Sequence, residues 1–412
     1  MAKLTKTYID NIQPPETGQK LIYDDEMKGF GLRVTKGAKT YICQARVNGK
    51  VKRVKIGSHG AWTLDNARKK AREHLVDMAN GKDPNMEKKA NEAKAITLDE
   101  VVKAYIKDRS LKSSSISDMN KHLDGIFKPL KDQPITAITR DKVLKLFRKA
   151  SGSSKAQANQ AFRLLRAWIN YAMATYRPGD KPIIIENPVQ VLSGAKMWHD
   201  IKPKSGKIPT EKVGIAWNAI QKMRSEMAYN KITETLRDAA GFLLLTGCRF
   251  GEAKELKWEN VNLEEMTWHI TDPKNHNPIT LPLSSQAMEI LKNRPRINEY
   301  VFGRKKGKGH ITDIRFTLEK VSEAIEKRIT PHDMRRTFRA IGEQAGVEFY
   351  KIKLLMNHKM NQDVTISAYT ETSDLKYLQP DIQKIGDWIE RQGVLAKNKV
   401  VDINTVKAEQ VA

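Results

Sequence analysis

The sequence predicts a mainly α-helical protein with small β elements. Residues 97–191 and 209–391 place apolar side chains largely at helical spacing, which predicts two extended helical regions. Residues 1–85 instead contain short runs of β-branched and aromatic residues bounded by turn residues, a pattern typical of strands. A third observation is a strand-rich insert at 268–283 inside the second helical region, where two short apolar runs flank a polar turn. With 412 residues, of which 40% are hydrophobic, the chain is long enough for two to four globular domains.

The N-terminal region is predicted to be a small α/β unit. Residues 29–34 and 40–47 predict strands, and Asn48-Gly49 predicts a tight turn into a third strand over residues 50–56. Apolar and basic residues alternate in this third strand, and we interpret the alternation as evidence of one basic face, formed by Lys50, Lys52, Arg53 and Lys55. A helix is expected to begin at the N-cap Thr63 and to end near Gly81. A basic sheet face can enter a DNA groove, but an ordinary half-solvated sheet fits the same pattern.

Helix starts and breaks divide the rest of the chain. Thr97 and Thr139 predict N-caps, and residues 157–176 predict a long helix with a core-facing apolar stripe. Residues 82–96 are charged and poor in large apolar groups, as in a linker or a solvated helix, and 194–208 predict a second linker. After Gly393 the tail is polar and loses its periodicity. These breaks predict four parts: 1–85, 97–193, 207–391 and a tail at 392–412.

The charge of the chain indicates a polyanionic partner. Lys and Arg number 73 against 48 Asp and Glu, a formal net charge of +25. Duplex DNA rewards such an excess through counterion release, whereas solubility alone needs a net charge of roughly 2–8. Cys43 and Cys248 are far apart and suggest no disulfide framework. Because the start resembles no signal segment and apolar runs fall well short of the ~18 residues of a membrane span, we expect a cytoplasmic protein without membrane contacts.

Four motifs follow one another in the second helical region. Thr246-Gly-Cys-Arg-Phe-Gly-Glu252 comes directly after an apolar run, and His332-Asp-Met-Arg335, His358 and Tyr369 follow in that order. Attack of a side-chain oxygen on a DNA phosphodiester adds charge to the non-bridging oxygens, and fixed guanidinium and imidazole donors can stabilise it. No carboxylate cluster, Cys-x-x-Cys or Gly-rich Lys-Ser/Thr loop indicates a metal or a nucleotide. The expected chemistry therefore uses no metal and no cofactor.

Each residue of this constellation has a predicted role. Arg249 and Arg335 are candidates for a phosphate clamp, and His332 shares a helix face with Arg335 because the two are three residues apart. Thr330 and Pro331 predict the N-cap and first turn of that helix. His358 is a candidate donor to a phosphate oxygen. Glu252, one turn from Arg249, is expected to orient that arginine rather than to take part in a chemical step.

Two roles stay open on the residues alone. The leaving 5′-oxygen needs a proton, and mobile lysines that could supply it are Lys274, Lys305, Lys306 and Lys308. The nucleophile candidate is Tyr369, and Tyr350, which fits an amphipathic helix, is its competitor.

The ordered motifs resemble those of the tyrosine recombinases, or phage integrases. The resemblance covers residues 209–391 and implies that Lys274, seven residues before Leu281-Pro-Leu283, is the acid. The nucleophile follows the last histidine in this family, which favours Tyr369 over Tyr350. Asn357 departs from the family pattern, since many members place glycine before the histidine.

The resemblance also extends to the N-terminal regions. Residues 97–191 are similar to the helical, SAM-like core-binding domain of the family. Residues 4–85 are similar to the arm-binding-like N-terminal domain of P4-type integrases of prophages and genomic islands. The 207–391 region is then expected to be the mixed α+β catalytic domain.

The resemblance implies a site-specific DNA recombinase that integrates, and can also excise, a prophage or genomic island. Tyr369 would form a 3′-phosphotyrosine bond and release a 5′-hydroxyl. Because this bond conserves the energy needed for religation, the resemblance implies no cofactor. The implied partners are double-stranded DNA attachment sites, three further copies of the chain in a tetramer on DNA, a host bending protein and an excision factor. The implied location is the nucleoid in the bacterial cytoplasm. The alternatives are a type IB topoisomerase-like nicking-closing enzyme and a catalytically inactive DNA-binding regulator.

Overall fold

The structure, a computed structural model, divides the chain into two compact units, residues 1–202 and 203–412. It describes residues 3–226, 231–273, 278–304, 308–358 and 375–409, without the side chains of 224–226, 231–233 and 399–409. Within these residues the chain is mostly helical with two small antiparallel sheets, which confirms the predicted fold class.

The first unit contains a four-stranded sheet and eight helices within its described residues. The strands are β1 (Gln19–Tyr23), β2 (Phe30–Thr35), β3 (Ala38–Val47) and β4 (Lys50–Ser58). The helices are α1 (Lys6–Asn11), α2 (Leu64–Ala79), α3 (Pro84–Ala95), α4 (Leu98–Lys107), α5 (Ser113–Asp124), α6 (Arg140–Ser153), α7 (Lys155–Thr175) and α8 (Val191–Gly194). Short 3-10 turns lie at Lys128–Leu130, Ile135–Ala137, Pro178–Asp180 and Pro188–Gln190.

The described part of the second unit is helical apart from one three-stranded sheet. The helices are α9 (Val213–Glu226), α10 (Lys231–Thr246), α11 (Phe250–Lys254), α12 (Ser285–Lys292), α13 (Arg315–Ala324), α14 (Pro331–Gln344), α15 (Phe349–Leu355) and α16 (Gln379–Glu409). The strands are β5 (Val261–Asn262), β6 (Thr267–Ile270) and β7 (Ile279–Pro282). Further 3-10 turns lie at Thr210–Lys212, Trp258–Asn260 and Lys376–Leu378.

The N-terminal sheet runs β1-β2-β3-β4, every pair antiparallel, and α2 packs against β3. The predicted turn is confirmed, because Asn48 and Gly49 both have positive φ, 46° and 79°. The prediction missed β1, which lies at the sheet edge, and the six-residue α1. Buried residues of β2, β3 and α2, among them Phe30, Tyr41 and Ala71, form an apolar core of their own.

The predicted single basic face of β4 is wrong. Val54 pairs with Cys43 and both are buried, so this face of the sheet meets the core. Successive side chains of a strand alternate between faces, which places Lys50 and Lys52 on the Val54 side and Arg53 and Lys55 on the other. Lys52 Nζ lies 2.9 Å from a carboxylate oxygen of Asp83. Adjacent residues such as Lys52 and Arg53 cannot share a face in regular pairing.

Local capping chemistry sets the helix starts as predicted. The Thr63 hydroxyl accepts from the Asn66 N–H at 3.3 Å, and the Thr139 hydroxyl accepts from the Lys142 N–H at 3.3 Å. Thr97 begins α4 with a capping box, in which its own N–H donates to the Glu100 carboxylate at 2.8 Å. Buried aromatic residues Phe162 and Trp168 of α7 lie in a second apolar core formed by α4–α8 and the intervening turns.

The first predicted linker and the tail contain more structure than expected, whereas residues 195–208 of the second contain no helix or strand. Residues 84–95 form α3, the solvated-helix alternative for the first linker. The last helix, α16, continues to Glu409, so the boundary predicted at residue 391 falls inside a helix. Gly393 does not end the helix; it permits close packing of α16 on α9, because a Cβ there would lie 2.7 Å from the Trp217 ring. Its carbonyl accepts from the Asn218 side-chain amide at 2.7 Å.

Candidate active site

The end of α10 prepares a sharp turn into the first arginine motif. The apolar run that precedes it is fully buried, with Leu243, Leu244 and Leu245 all at 0% exposure. Gly247 follows with φ +63°. A Cβ at this position would lie 2.3 Å from the ring of Phe338 on α14. Glycine is required here both by the left-handed backbone and by the close approach of α14.

Arg249 is oriented by Glu252. The Glu252 carboxylate accepts from the Arg249 backbone N–H at 2.8 Å and from its Nη1 at 2.6 Å. The side chain of Glu252 is 7% exposed and that of Arg249 is 29% exposed. The carboxylate thus fixes the start of α11 while the guanidinium keeps access to solvent, the arrangement that the sequence predicts for this pair.

The start of α14 is held by a carboxylate that the sequence analysis did not single out. Asp333 accepts from the Thr330 N–H at 2.9 Å and from the Thr330 hydroxyl at 2.7 Å. Its other oxygen accepts from Arg336 Nη1 at 2.7 Å. Thr330 is the predicted N-cap and Pro331 the first helical residue. The pattern Thr-x-x-Asp is a capping box in which Asp stands for the usual Glu, so a signal for Asp333 was present in the sequence.

Arg335 is buried, with 2% exposure, and its fork is held by backbone carbonyls from two directions. Nη1 donates to the Gly247 carbonyl at 2.7 Å, and Nη2 donates to the Met356 carbonyl at 2.5 Å. Burial first, and then the charge of Arg249, lowers the pKa of Arg335 to about 10. The guanidinium therefore remains charged at neutral pH. The effect of Arg249 on this pKa shows that the two positive groups are close to each other.

His358 is positioned by the end of α15. The His358 N–H donates to the Lys353 carbonyl at 3.0 Å, and the Asn357 N–H donates to the Leu354 carbonyl at 2.8 Å. These two bonds form a Schellman motif, in which the residue after the helix takes the left-handed conformation. Asn357 does so with φ 48°. Asparagine adopts this backbone more readily than most residues other than glycine, which explains how Asn357 can stand where many family members have glycine.

Burial and the positive charges of the two arginines lower the pKa values of the two histidines. Partial burial and then the charges of Arg335 and Arg249 lower the pKa of His358 to about 4. Burial, followed by Arg336 and Arg335, also lowers the pKa of His332. Both imidazoles are accordingly neutral at pH 7, and a bound phosphate would favour their charged forms. The structure thus brings together four of the predicted residues, Arg249, His332, Arg335 and His358.

The other two predicted catalytic residues, Lys274 and Tyr369, lie outside the described residues. β6 and β7 flank the predicted hairpin turn and pair in antiparallel register, Ile270 with Ile279. Tyr350 is 42% exposed near the start of α15. Among the described residues no group of three or more His, Cys, Asp or Glu could hold a metal ion. The described helices include none that combines the length and hydropathy of a membrane span.

Comparison with known proteins assigns the family. The sequence matches the Phage integrase family over residues 215–376 and the Arm DNA-binding domain over residues 4–91. The chain therefore belongs to the phage integrase family, and it is a tyrosine recombinase. Prophage integrase IntF of Escherichia coli (strain K12) is 23% identical over 94% of this chain and 90% of that protein.

Solved structures share the fold. A lambda integrase dimer bound to a COC′ core site superposes with a TM-score of 0.50 at 17% identity, covering 88% of this chain and 97% of that one. A lambda integrase tetramer bound to a Holliday junction gives 0.50 at 16% identity, covering 85% of this chain and 98% of that one.

Proposed function

We propose that Arg249, His332, Arg335 and His358 hold the scissile phosphate of duplex DNA for attack by Tyr369. The observation that carries this proposal is the pair of neighbouring guanidiniums, of which only Arg249 has a carboxylate partner within the described residues. Arg335 is buried against neutral carbonyls, so its charge is left for a ligand. A phosphate in its pentacoordinate transition state carries the extra negative charge that such a cluster stabilises.

The proposed reaction proceeds in two balanced steps. The neutral His332 imidazole takes the phenolic proton as the Tyr369 oxygen bonds to phosphorus. The bond from phosphorus to the 5′-oxygen breaks, and Lys274 gives that oxygen its proton. A 5′-hydroxyl, from the partner duplex in strand exchange, then gives its proton to Lys274 and attacks the phosphotyrosine, and Tyr369 regains its proton from His332 as it leaves. The phosphotyrosine bond conserves the energy of the phosphodiester, so no nucleotide need be hydrolysed.

We propose a second DNA contact on the N-terminal sheet face that is turned away from α2. The paired register places Arg33, Arg46, Arg53 and Lys55 on this face. Of the residues first predicted to bind DNA, Lys50 and Lys52 lie on the core side. Arg53→Gln with Lys55→Gln should reduce the log–log salt slope of arm-site binding by about 2, since each phosphate contact contributes about 0.9. Lys50→Gln with Lys52→Gln is the matched control, and an equal or larger loss there would refute this assignment of faces.

The biological role that we propose is integration and excision of a prophage or genomic island of the P4 type. The proposed partners are DNA attachment sites, a homotetramer of this chain on DNA, a host bending protein and an excision factor, in the bacterial cytoplasm at the nucleoid. The support is similarity to IntF, called a prophage integrase, and a fold shared with a lambda integrase tetramer on a Holliday junction.

A nicked duplex that carries an attachment site tests the chemistry. Full-length protein should form a covalent adduct visible on a denaturing gel, and Tyr369→Phe should bind the same DNA without forming it. Tyr350→Phe is the control and should form the adduct at the wild-type rate. An adduct with Tyr369→Phe would refute the assignment of Tyr369 as the nucleophile.

Strand transfer between two labelled duplexes distinguishes a recombinase from a topoisomerase-like enzyme, which relaxes DNA without exchanging strands. If the wild-type protein formed no adduct at all, an inactive regulator would be favoured.

A further inference from the structure

An exposed aromatic ring beside the candidate active site contacts two cations. Phe349, the first residue of α15, is 44% exposed. The guanidinium carbon of Arg339 lies 4.8 Å from the centre of its ring, and Lys353 Nζ lies 4.4 Å from it. Both distances are within the range of cation–π attraction. The exposed ring thus holds two positive groups together at one place on the surface.

Backbone connections place both cations next to the proposed phosphate clamp. Arg339 follows Arg335 by one turn of α14, so the two project from the same side of the helix about 6 Å apart along its axis. Lys353 is joined to the site through its carbonyl, which accepts the His358 N–H at 3.0 Å. Arg339 also pairs with Glu343 at 3.1 Å. For Lys353 we find no ion pair within the described part of the chain.

We propose that Arg339 and Lys353, positioned by the Phe349 ring, form a second phosphate-binding site for the cleaved DNA strand, adjacent to the scissile phosphate. The proposal rests on the proposed function, because it assumes that Arg249 and Arg335 bind that scissile phosphate. Phe349 is a positioning residue in this arrangement, and the two cations make the contact. The ligand is a phosphate of the DNA backbone that does not react.

The ring suits this purpose better than a carboxylate would. An aromatic face restricts a long, flexible cationic side chain but leaves its positive charge in place, whereas an ion pair would cancel that charge. A phosphate that arrives can therefore use the full charge of Lys353 and the remaining donors of Arg339. The contact would release counterions and so add to the salt dependence of core-site binding.

Salt-dependent binding of full-length protein to a core-site duplex tests the proposal. Lys353→Gln should reduce the log–log salt slope by about 0.9. Arg339→Gln should reduce it by a smaller amount, because the ion pair with Glu343 already neutralises part of the charge of Arg339. Phe349→Leu should reduce it by up to the sum of the two, and Phe349→Tyr, which keeps an aromatic face, should restore it. The matched control is Lys351→Gln on the same helix, because Lys351 pairs with Asp381 at 3.3 Å and should not change the slope. Slopes equal to wild type for both Arg339→Gln and Lys353→Gln would overturn the proposal.

Replacing single phosphates by a neutral methylphosphonate locates the contact of Arg339 and Lys353 on the DNA. A methylphosphonate is placed, one position at a time, at the phosphates flanking the scissile one in the cleaved strand. In wild type at least one position should weaken binding severalfold, and the Arg339→Gln, Lys353→Gln double variant should be insensitive at that same position. A profile shared by wild type and double variant would overturn the second site. Failure of the proposed function looks different, because wild type itself would then form no covalent adduct on unmodified DNA.

Discussion

The single Cβ atom that Gly247→Ala adds should lower both the stability of the fold and the rate of covalent adduct formation. Gly247 has φ +63°, a conformation that costs residues with a Cβ roughly 1–2 kcal/mol. The added Cβ would lie 2.3 Å from one ring carbon of Phe338 and 2.5 Å from another, so α14 or the turn must move. Such overpacking typically costs about 1–3 kcal/mol. The two costs together amount to about 2–5 kcal/mol.

The same movement would disturb Arg335, the arginine that we propose binds the scissile phosphate. The Gly247 carbonyl accepts from Arg335 Nη1, and Phe338 lies one turn further along the α14 helix that carries Arg335. A shift on either side therefore displaces the guanidinium from the phosphate. Loss of about 1.4 kcal/mol of transition-state stabilisation already slows a reaction tenfold, so we expect covalent adduct formation to slow by at least about tenfold.

Thermal unfolding and the adduct assay measure the two effects. A destabilisation of about 2 kcal/mol or more should lower the melting temperature of the second unit by at least about 4 °C. Gly251→Ala is the matched control, because no atom lies within 4 Å of its added Cβ, and alanine inside α11 should be neutral or slightly stabilising. Phe338→Ala removes both ring carbons that the new Cβ would meet, so Gly247→Ala added to the Phe338→Ala protein should cost little more than the backbone part. A Gly247→Ala protein with wild-type melting temperature and adduct rate would refute the reasoning.

Three further predictions concern charge. Asp333→Asn should lower both stability and adduct rate, by about 1–2 kcal/mol for the lost cap, in urea unfolding and adduct assays, whereas an unchanged protein would mean that Asp333 positions nothing. Because the pKa of His358 is lowered to about 4, the unfolded state binds more protons between about pH 4 and 6.5, so stability should fall on acidification through that window. His358→Gln should flatten this pH dependence in urea unfolding, and an unchanged profile would contradict the shift. Adduct formation should persist in excess EDTA, and dependence on added Mg²⁺ would show that fixed cations are not the main charge stabiliser.

Local chemistry was predictable where a few neighbouring residues decide the structure. The caps at Thr63, Thr97 and Thr139 and the Asn48-Gly49 turn each depend on contacts within about four residues, and each is present. β1 was missed because edge pairing, and not its own five residues, stabilises it. The continuation of the last helix to Glu409 was missed because the residues after Gly393 lack the apolar periodicity that predicts a helix. The role of Gly393 depends on another helix, where Trp217 leaves no room for a Cβ.

The candidate active site likewise has residues that the sequence predicts and contacts that it does not predict. The order of the motifs is sufficient to nominate Arg249, His332, Arg335 and His358, which the structure brings together. It could not give the two carbonyls that hold Arg335, because Gly247 is 88 residues away along the chain. Nor does a motif record the ring of Phe349, whose partners come from two helices. Motifs identify the groups that touch substrate, whereas the groups that aim them are set by long-range packing.

The burial of Arg335 is explained by the phosphate that we propose it binds. A buried guanidinium is costly unless an anion compensates it, and carbonyl oxygens compensate it only in part. In this site Glu252 is engaged by Arg249, and the pKa of Arg335 falls because burial and the second arginine both disfavour its charge. An arrangement selected for stability alone would place a carboxylate at this point. The phosphate that we propose as the ligand would supply this negative charge, more so as it becomes pentacoordinate, so the cost of burying Arg335 would become binding free energy directed at the transition state.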